Sequence, residues 1–243
     1  MAAKERLILA VDTSTVDEAR RIIDELYEYV GVFKVGLELF MNAGPQVLEI
    51  FQERDLKVFF DGKFLDIPNT VAKASAAVAR QGVAMFTVHA SGGKKMLTAA
   101  SRACADVAGE KNIRSPLILG VTVLTSLDQH ALSYELNVNG TVTDQVVKLA
   151  CLCKESGVNG IVASAEEVIH LRDALGKAIT IVTPGVRPIW ADVNDQSRVV
   201  TPAQALNYGS DYLVIGRPIT DAKDRKTAAK RILEEMEEAV VPM

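Results

Sequence analysis

Asp61-Gly62-Lys63-Phe64-Leu65-Asp66-Ile67-Pro68-Asn69-Thr70 follows an apolar run, Lys57 to Phe60, that reads as a strand. It leads into Val71, Ala74, Ala77 and Val78, whose spacing reads as a helix. The charged group therefore sits where a strand hands over to a helix. Residues two apart in a strand face the same way, so Asp61 and Lys63 are expected to project together from the strand's end, with Gly62 allowing a close approach. Asp66 lies past the strand, on the loop or at the start of the helix, and need not point into its own strand's site. A plainer reading makes Asp61 and Lys63 a strand-end ion pair and Asp66 a helix N-cap with Pro68 in the first turn. The surroundings decide between the two.

On either side of this stretch the chain repeats one pattern. Arg6 to Asp12 reads as a strand, followed by a helix opened by Thr15 and Glu18 as a capping box, with Val16, Ala19, Ile22, Ile23 and Leu26 on one face. Val32 to Gly36 is a second strand, with a helix from about Pro45 to Gln52. After the opening stretch come Ala84 to His89 with a helix to about Val107, and a strand within Leu117 to Leu124. The connection Thr125 to Thr141 has room for a short helix before the longer one at Val142 to Glu155. Gly160 to Ala163, Ile179 to Thr183 and Tyr212 to Ile215 supply three more strands, with Ser164 and Glu167, and Thr201 and Gln204, as capping pairs between them. A charged amphipathic helix from about Thr220 to Glu238 closes the chain.

Eight strand-then-helix units with apolar rather than alternating strands predict a closed (β/α)8 TIM barrel of class α/β, filling residues 1–243 as one domain. An open nucleotide-binding sheet would carry a glycine-rich loop after its first strand, and Val11-Asp12-Thr13-Ser14 is not one. In such a barrel, chemistry gathers at the C-terminal ends of the strands. Those ends hold Asp12, Lys34, Asp61 and Lys63, His89, Thr125 and Ser126, Thr183 to Arg187, and Gly216-Arg217.

Composition narrows the partners. With 27 Lys and Arg against 31 Asp and Glu, the net charge of -4 supplies no field for nucleic acid or an anionic membrane. An anionic substrate must then be held by a few placed cations. The apolar run Leu7 to Val11 is too short for a secretory signal, and no segment approaches the roughly 18 apolar residues of a membrane span. Cys104, Cys151 and Cys153 have no C-x-x-C spacing and read as reduced, part-buried helix residues of a cytoplasmic protein. None of His89, His130 and His170 stands at metal-ligand spacing from another, so no metal is expected.

Lys34 is the least ordinary residue by position, because an ammonium inside a short apolar strand is costly to bury unless a carboxylate meets it. Asp61 or Asp12 could be that partner; alternatively, Lys34 reaches the rim and extends into water, and Asp12 caps the first helix. Lys63 between carboxylates would be a poor base but a good cation and proton donor, which points to a carbanion being formed and quenched. Gly216 and Arg217 after the eighth strand suit a phosphate, with Pro184-Gly185-Val186-Arg187-Pro188 and Gln196 as a facing loop able to close.

The Asp61–Thr70 run, Val11-Asp12, Phe33-Lys34-Val35-Gly36, Val121-Thr122-Val123-Leu124-Thr125-Ser126, Thr183-Pro184-Gly185-Val186-Arg187-Pro188 with Gln196, and Ile215-Gly216-Arg217-Pro218-Ile219-Thr220 together resemble the bacterial orotidine 5'-phosphate decarboxylase family. The resemblance covers essentially the whole chain in order. It implies cofactor-free, metal-free conversion of orotidine 5'-phosphate to UMP and CO2, the last step of de novo pyrimidine nucleotide synthesis. It implies Asp12 on a ribose hydroxyl; Lys34, Asp61 and Lys63 in a charged network; and Lys63 as proton donor to C6. Asp66 and Thr70, with Ile67 among the substrate contacts, would reach the neighbouring subunit's substrate in a homodimer. Thr125, with Ser126 beside it, would address the pyrimidine, and Arg187, Gln196, Gly216 and Arg217 the phosphate. A related barrel family that acts on keto-sugar phosphates with Mg2+ is expected to carry an acidic metal ligand where Lys34 stands. A non-catalytic nucleotide or sugar-phosphate sensor on the same barrel would have no need of a proton donor.

Overall fold

The computed structural model describes residues 1–190 and 200–239. A short helix α1 (Ala3–Arg6) precedes β1 (Leu7–Val11) and α2 (Val16–Leu26). β2 (Val32–Val35) is followed by α3 (Leu37–Ala43), a 3-10 turn at Pro45–Leu48 and α4 (Glu49–Gln52). β3 (Lys57–Phe64) leads to α5 (Pro68–Arg80), and β4 (Met85–His89) to α6 (Gly93–Lys111). β5 (Leu117–Val121) precedes a π-helical turn at Ala131–Glu135 and α7 (Val142–Glu155). β6 (Gly160–Val162) is followed by a 3-10 turn and α8 (Val168–Leu175), and β7 (Thr180–Pro184) precedes α9 (Pro202–Tyr208). β8 (Tyr212–Ile215) runs into α10 (Arg217–Thr220) and α11 (Arg225–Glu238).

The strands follow one another in chain order and close into a barrel. The pairs β1–β2, β1–β8, β2–β3, β4–β5, β5–β6 and β6–β7 are all parallel. This is the expected (β/α)8 barrel, and its strands are apolar because helices cover one face and the barrel interior the other. Every residue of β1 and β2 is buried.

Contacts group the chain into two compact units, Met1–Gly62 with Thr183–Met243, and Lys63–Val182. In the first, Ala19, Ile22, Ile23 and Leu26 form the buried stripe of α2, and Phe33 and Phe51 pack with ring centroids 5.7 Å apart. Arg6 donates from Nε and Nη2 to the carbonyls of Asp211 and Ser210, tying the start of β1 to the approach to β8. In the second, α5 packs along α6, and Cys104 Sγ lies 3.7 Å from the Ser75 carbonyl. Burial pushes the Cys104 and Cys153 thiols up to about 12, as inert core residues require. Among the described residues no helix is long and apolar enough to cross a membrane.

Several boundaries depart from the sequence expectation. β3 runs on through Asp61 and Lys63 to Phe64 instead of ending at Phe60. The Thr15 side chain accepts from Glu18 N at 3.3 Å, whereas full reciprocal boxes form at Thr141, Ser164 and Thr201. α3 is a helix that periodicity does not reveal: of its residues Leu39 is buried, while Leu37 and Met41 are exposed, so no apolar face is legible. Gly44, at φ 69°, ends it. The last helix, expected from about Thr220, begins instead at Arg225 as α11, with Asp224 capping it through Thr227 N, and Thr220 ends the short α10 before it.

Candidate active site

Lys34 pairs in register with Ala10 of β1 and Phe59 of β3. Asp12 and Asp61 each stand two residues beyond those partners, hence on the face that Lys34 shares and one step nearer the strand ends. The side chains meet there: Lys34 Nζ lies 2.9 Å from Asp12 Oδ1 and 3.8 Å from Asp61 Oδ2. Both carboxylates that the sequence offered as alternatives are partners. Lys34 is only 9% exposed, so it does not extend into water from the rim. Its burial is tolerable because two opposite charges replace lost hydration. Gly36 leaves room for the pair, since a Cβ there would lie 3.1 Å from Asp12 Oδ1 and 3.2 Å from Lys34 Nζ. Asp12 is not a helix cap; Thr15 holds that position for α2.

Asp12 and Lys34 border a cavity of about 210 Å3 that is also lined by Gly185, Arg187, Gly216 and Arg217. Arg187 is 4% exposed and its backbone N–H donates to the Val200 carbonyl at 3.1 Å, which fixes the segment after β7. Arg217 is exposed and opens α10 after Gly216. One buried and one exposed guanidinium thus share the cavity with Asp12 and Lys34. Gln196, expected on the facing loop, lies outside the described residues.

Lys63 adopts φ 48°, a left-handed conformation that costs a non-glycine residue about 1–2 kcal/mol. Strand alternation is interrupted at such a residue, so the pleat alone does not align Lys63 with Asp61. The Lys63 backbone N–H donates to Thr87 Oγ1 at 2.9 Å. Thr87 is 1% exposed in the middle of β4, and sequence reasoning passed over it. The signal was available: a hydroxyl within the apolar run Met85-Phe86-Thr87-Val88 needs a partner, as Lys34 does in its own strand.

Residues 65–70 are all exposed. Asp66 is not the N-cap of α5: Ile67 occupies that position, and Asp66 Oδ1 accepts from Ile67 N at 2.6 Å. Thr70 lies in the first turn of α5, and Thr125 and Ser126 are exposed in the turn after β5. His89 ends β4, the His130 ring lies 4.9 Å from that of Tyr134, and His170 is exposed on α8. Among the described residues no group of three or more His, Cys, Asp or Glu could hold a metal ion.

A parallel (β/α)8 barrel with an ammonium held between carboxylates beside an arginine-lined cavity defines a barrel enzyme for a small anionic substrate. The chain belongs to the Orotidine 5'-phosphate decarboxylase / HUMPS family, whose model matches residues 5–232. It is 49% identical over 240 residues to an orotidine 5'-phosphate decarboxylase of Heliobacterium modesticaldum, covering 99% of each chain. A second, from Moorella thermoacetica, is 49% identical over 237 residues, covering 98% of this chain and 94% of the relative. The crystal structure of orotidine 5'-phosphate decarboxylase from Lactobacillus acidophilus superposes with a TM-score of 0.84 at 36% identity, covering 95% of this chain and 98% of that one.

Proposed function

We propose that this chain decarboxylates orotidine 5'-phosphate to UMP without a metal or cofactor, as the last step of de novo pyrimidine nucleotide synthesis. The observation that carries the reading is Lys34 held between Asp12 and Asp61 on the cavity that also receives Arg187 and Arg217. The full-length relatives carry that enzyme's name. Lys34 stands where the Mg2+-dependent sugar-phosphate barrels are expected to place an acidic ligand.

In this reading Arg187, Arg217 and the Gly216 backbone hold the phosphate, with Gln196 beside them. Asp12 takes a ribose hydroxyl, and Thr125 addresses the pyrimidine. The bond from C6 to the carboxylate breaks, its electron pair stays on C6, and CO2 leaves from beside Asp61. Lys63 then gives its ammonium proton to C6 and is reprotonated from solvent. A fixed ammonium beside the developing carbanion stabilises it with little reorganisation. Phosphate and ribose contacts, remote from the bond that breaks, supply the binding energy that positions the base.

The same reading makes residues 1–243 one functional domain of a cytoplasmic homodimer, with no nucleic-acid or membrane partner. Asp66, Ile67 and Thr70 then reach the substrate of the neighbouring subunit. The exposed apolar side chains of Leu65 and Ile67 on either side of Asp66 suit a surface covered by a second copy, and the three free cysteines suit a reducing compartment.

The test is the loss of ultraviolet absorbance when purified protein meets orotidine 5'-phosphate in excess EDTA. Rapid loss with UMP as product establishes the reaction and its independence of metal together. No loss, in protein that binds UMP, overturns the reading in favour of Mg2+-dependent sugar-phosphate chemistry or a binding-only role.

A further inference from the structure

We propose that Thr87 is a positioning residue for Lys63, a role that rests on the reading of Lys63 as proton donor. Lys63 sits in a left-handed backbone conformation, φ 48°, inside a strand. A lysine has no intrinsic reason to stay there, so its surroundings must hold it. Thr87 Oγ1 accepts the Lys63 backbone N–H at 2.9 Å. The next residue is gripped as well, because the Phe64 ring packs on that of Phe86 with centroids 5.9 Å apart. Two successive residues of β4 thus hold two successive residues of β3.

β4 is a firm support. Thr87 is 1% exposed, and the strand is registered on β5 through Phe86 to Ile118 and Thr87 to Leu119. The left-handed turn sets the direction of the Lys63 Cα–Cβ bond, and with it the origin of the long side chain that carries the ammonium. Thr87 touches no reacting atom in this account. It fixes the backbone from which the proton donor reaches out.

The experiment compares Thr87→Val, which keeps the shape and loses the acceptor, with Thr87→Ser, which keeps the acceptor and loses a methyl group. A misplacement of about 1 Å at a reacting group costs roughly 100-fold, so Thr87→Val is expected to lower kcat by roughly 30- to 100-fold. KM and UMP affinity should change by less than about threefold, because phosphate and ribose contacts are untouched. Thr87→Ser should recover most of the turnover. In NMR hydrogen exchange, the Lys63 amide should be protected in the unaltered protein and in Thr87→Ser, and lose protection in Thr87→Val. Thr87→Ala serves in its place if Thr87→Val does not fold.

Unchanged kcat in Thr87→Val, or a Thr87→Ser enzyme as slow as Thr87→Val, overturns the proposal. A KM that rises as far as kcat falls also overturns it, since that marks a general loosening. If the unaltered protein does not turn over orotidine 5'-phosphate, the proton-donor reading fails on its own evidence. Exchange at Lys63 still reports whether Thr87 holds that backbone.

Discussion

Lys34 Nζ lies 2.9 Å from Asp12 Oδ1, although Asp12 is 60% exposed in its side chain and Lys34 only 11%. The pair is asymmetric: water screens the Asp12 carboxylate, while the Lys34 ammonium has to be compensated by charge. Asp61, 3.8 Å away and 14% exposed in its side chain, shares that burden. Lys34→Met removes the cation and leaves Asp61 facing a drier neighbour, so chemical denaturation should report a loss of about 2–3 kcal/mol. Asp12→Asn should cost less than about 1 kcal/mol, because water already screens that partner. Equal losses for the two variants would contradict the asymmetry.

The backbone at Lys63 yields a prediction that runs against ordinary strand preference. Glycine inside a strand is usually less stable than alanine, by roughly 0.5–1 kcal/mol. At φ 48° the order reverses, since alanine keeps the left-handed penalty and glycine does not. Lys63→Gly should therefore be more stable than Lys63→Ala by about 1 kcal/mol in urea unfolding. Both should lose nearly all turnover while phosphate-ligand affinity falls much less. An active Lys63→Ala enzyme would sink the proton-donor assignment, whatever the stabilities.

Legibility followed the physical signal. The barrel could be read because each buried strand is a short apolar run and most helices carry a cap or a periodic face; α7 and β8 fall where the spacing puts them. Lys34 stood out because a charge in an apolar strand demands a partner, though sequence alone could not choose between Asp12 and Asp61. Parallel register chooses both, since it sets them on either side of Lys34. What escaped reading was conformational. Nothing in the letters marks Lys63 as left-handed, and a lone threonine in β4 does not announce which backbone amide it serves. α3 escaped for the opposite reason, its apolar residues pointing both inward and outward.

The start of α7 gives a pH dependence. Asp144 Oδ2 accepts from Thr141 Oγ1 at 2.7 Å and from Thr141 N at 3.2 Å, while Thr141 Oγ1 accepts from Asp144 N at 3.1 Å. The Thr141 hydroxyl, then its backbone N–H, hold the Asp144 carboxyl below the usual carboxylate range. A carboxyl whose folded pKa is depressed stabilises the fold above its unfolded value, about 3.9, and loses that contribution as pH falls through the folded value. Asp144→Asn should therefore melt below the parent at pH 7, with the gap closing as the buffer is taken below pH 4. A gap that stays constant from pH 7 to pH 3 would show that the charge contributes nothing.

Asp66 and Lys63 lie three residues apart, yet the proposed dimer assigns them to different active sites. Asp66 is exposed, and its Oδ1 bonds the Ile67 N–H beside the exposed Leu65 and Ile67 side chains, as expected of a group presented outward. Asp66→Asn and Lys63→Ala should each be nearly inactive alone. In a mixed dimer, one site would carry both defects and the other neither. After subunit exchange of an equal mixture, half of the dimers are mixed, so activity should recover to about a quarter of the parent per active site. Exchange is followed by native mass spectrometry and turnover by absorbance. Confirmed mixed dimers without recovered turnover would place Asp66 in the same site as its own Lys63, and the shared site would have to be abandoned.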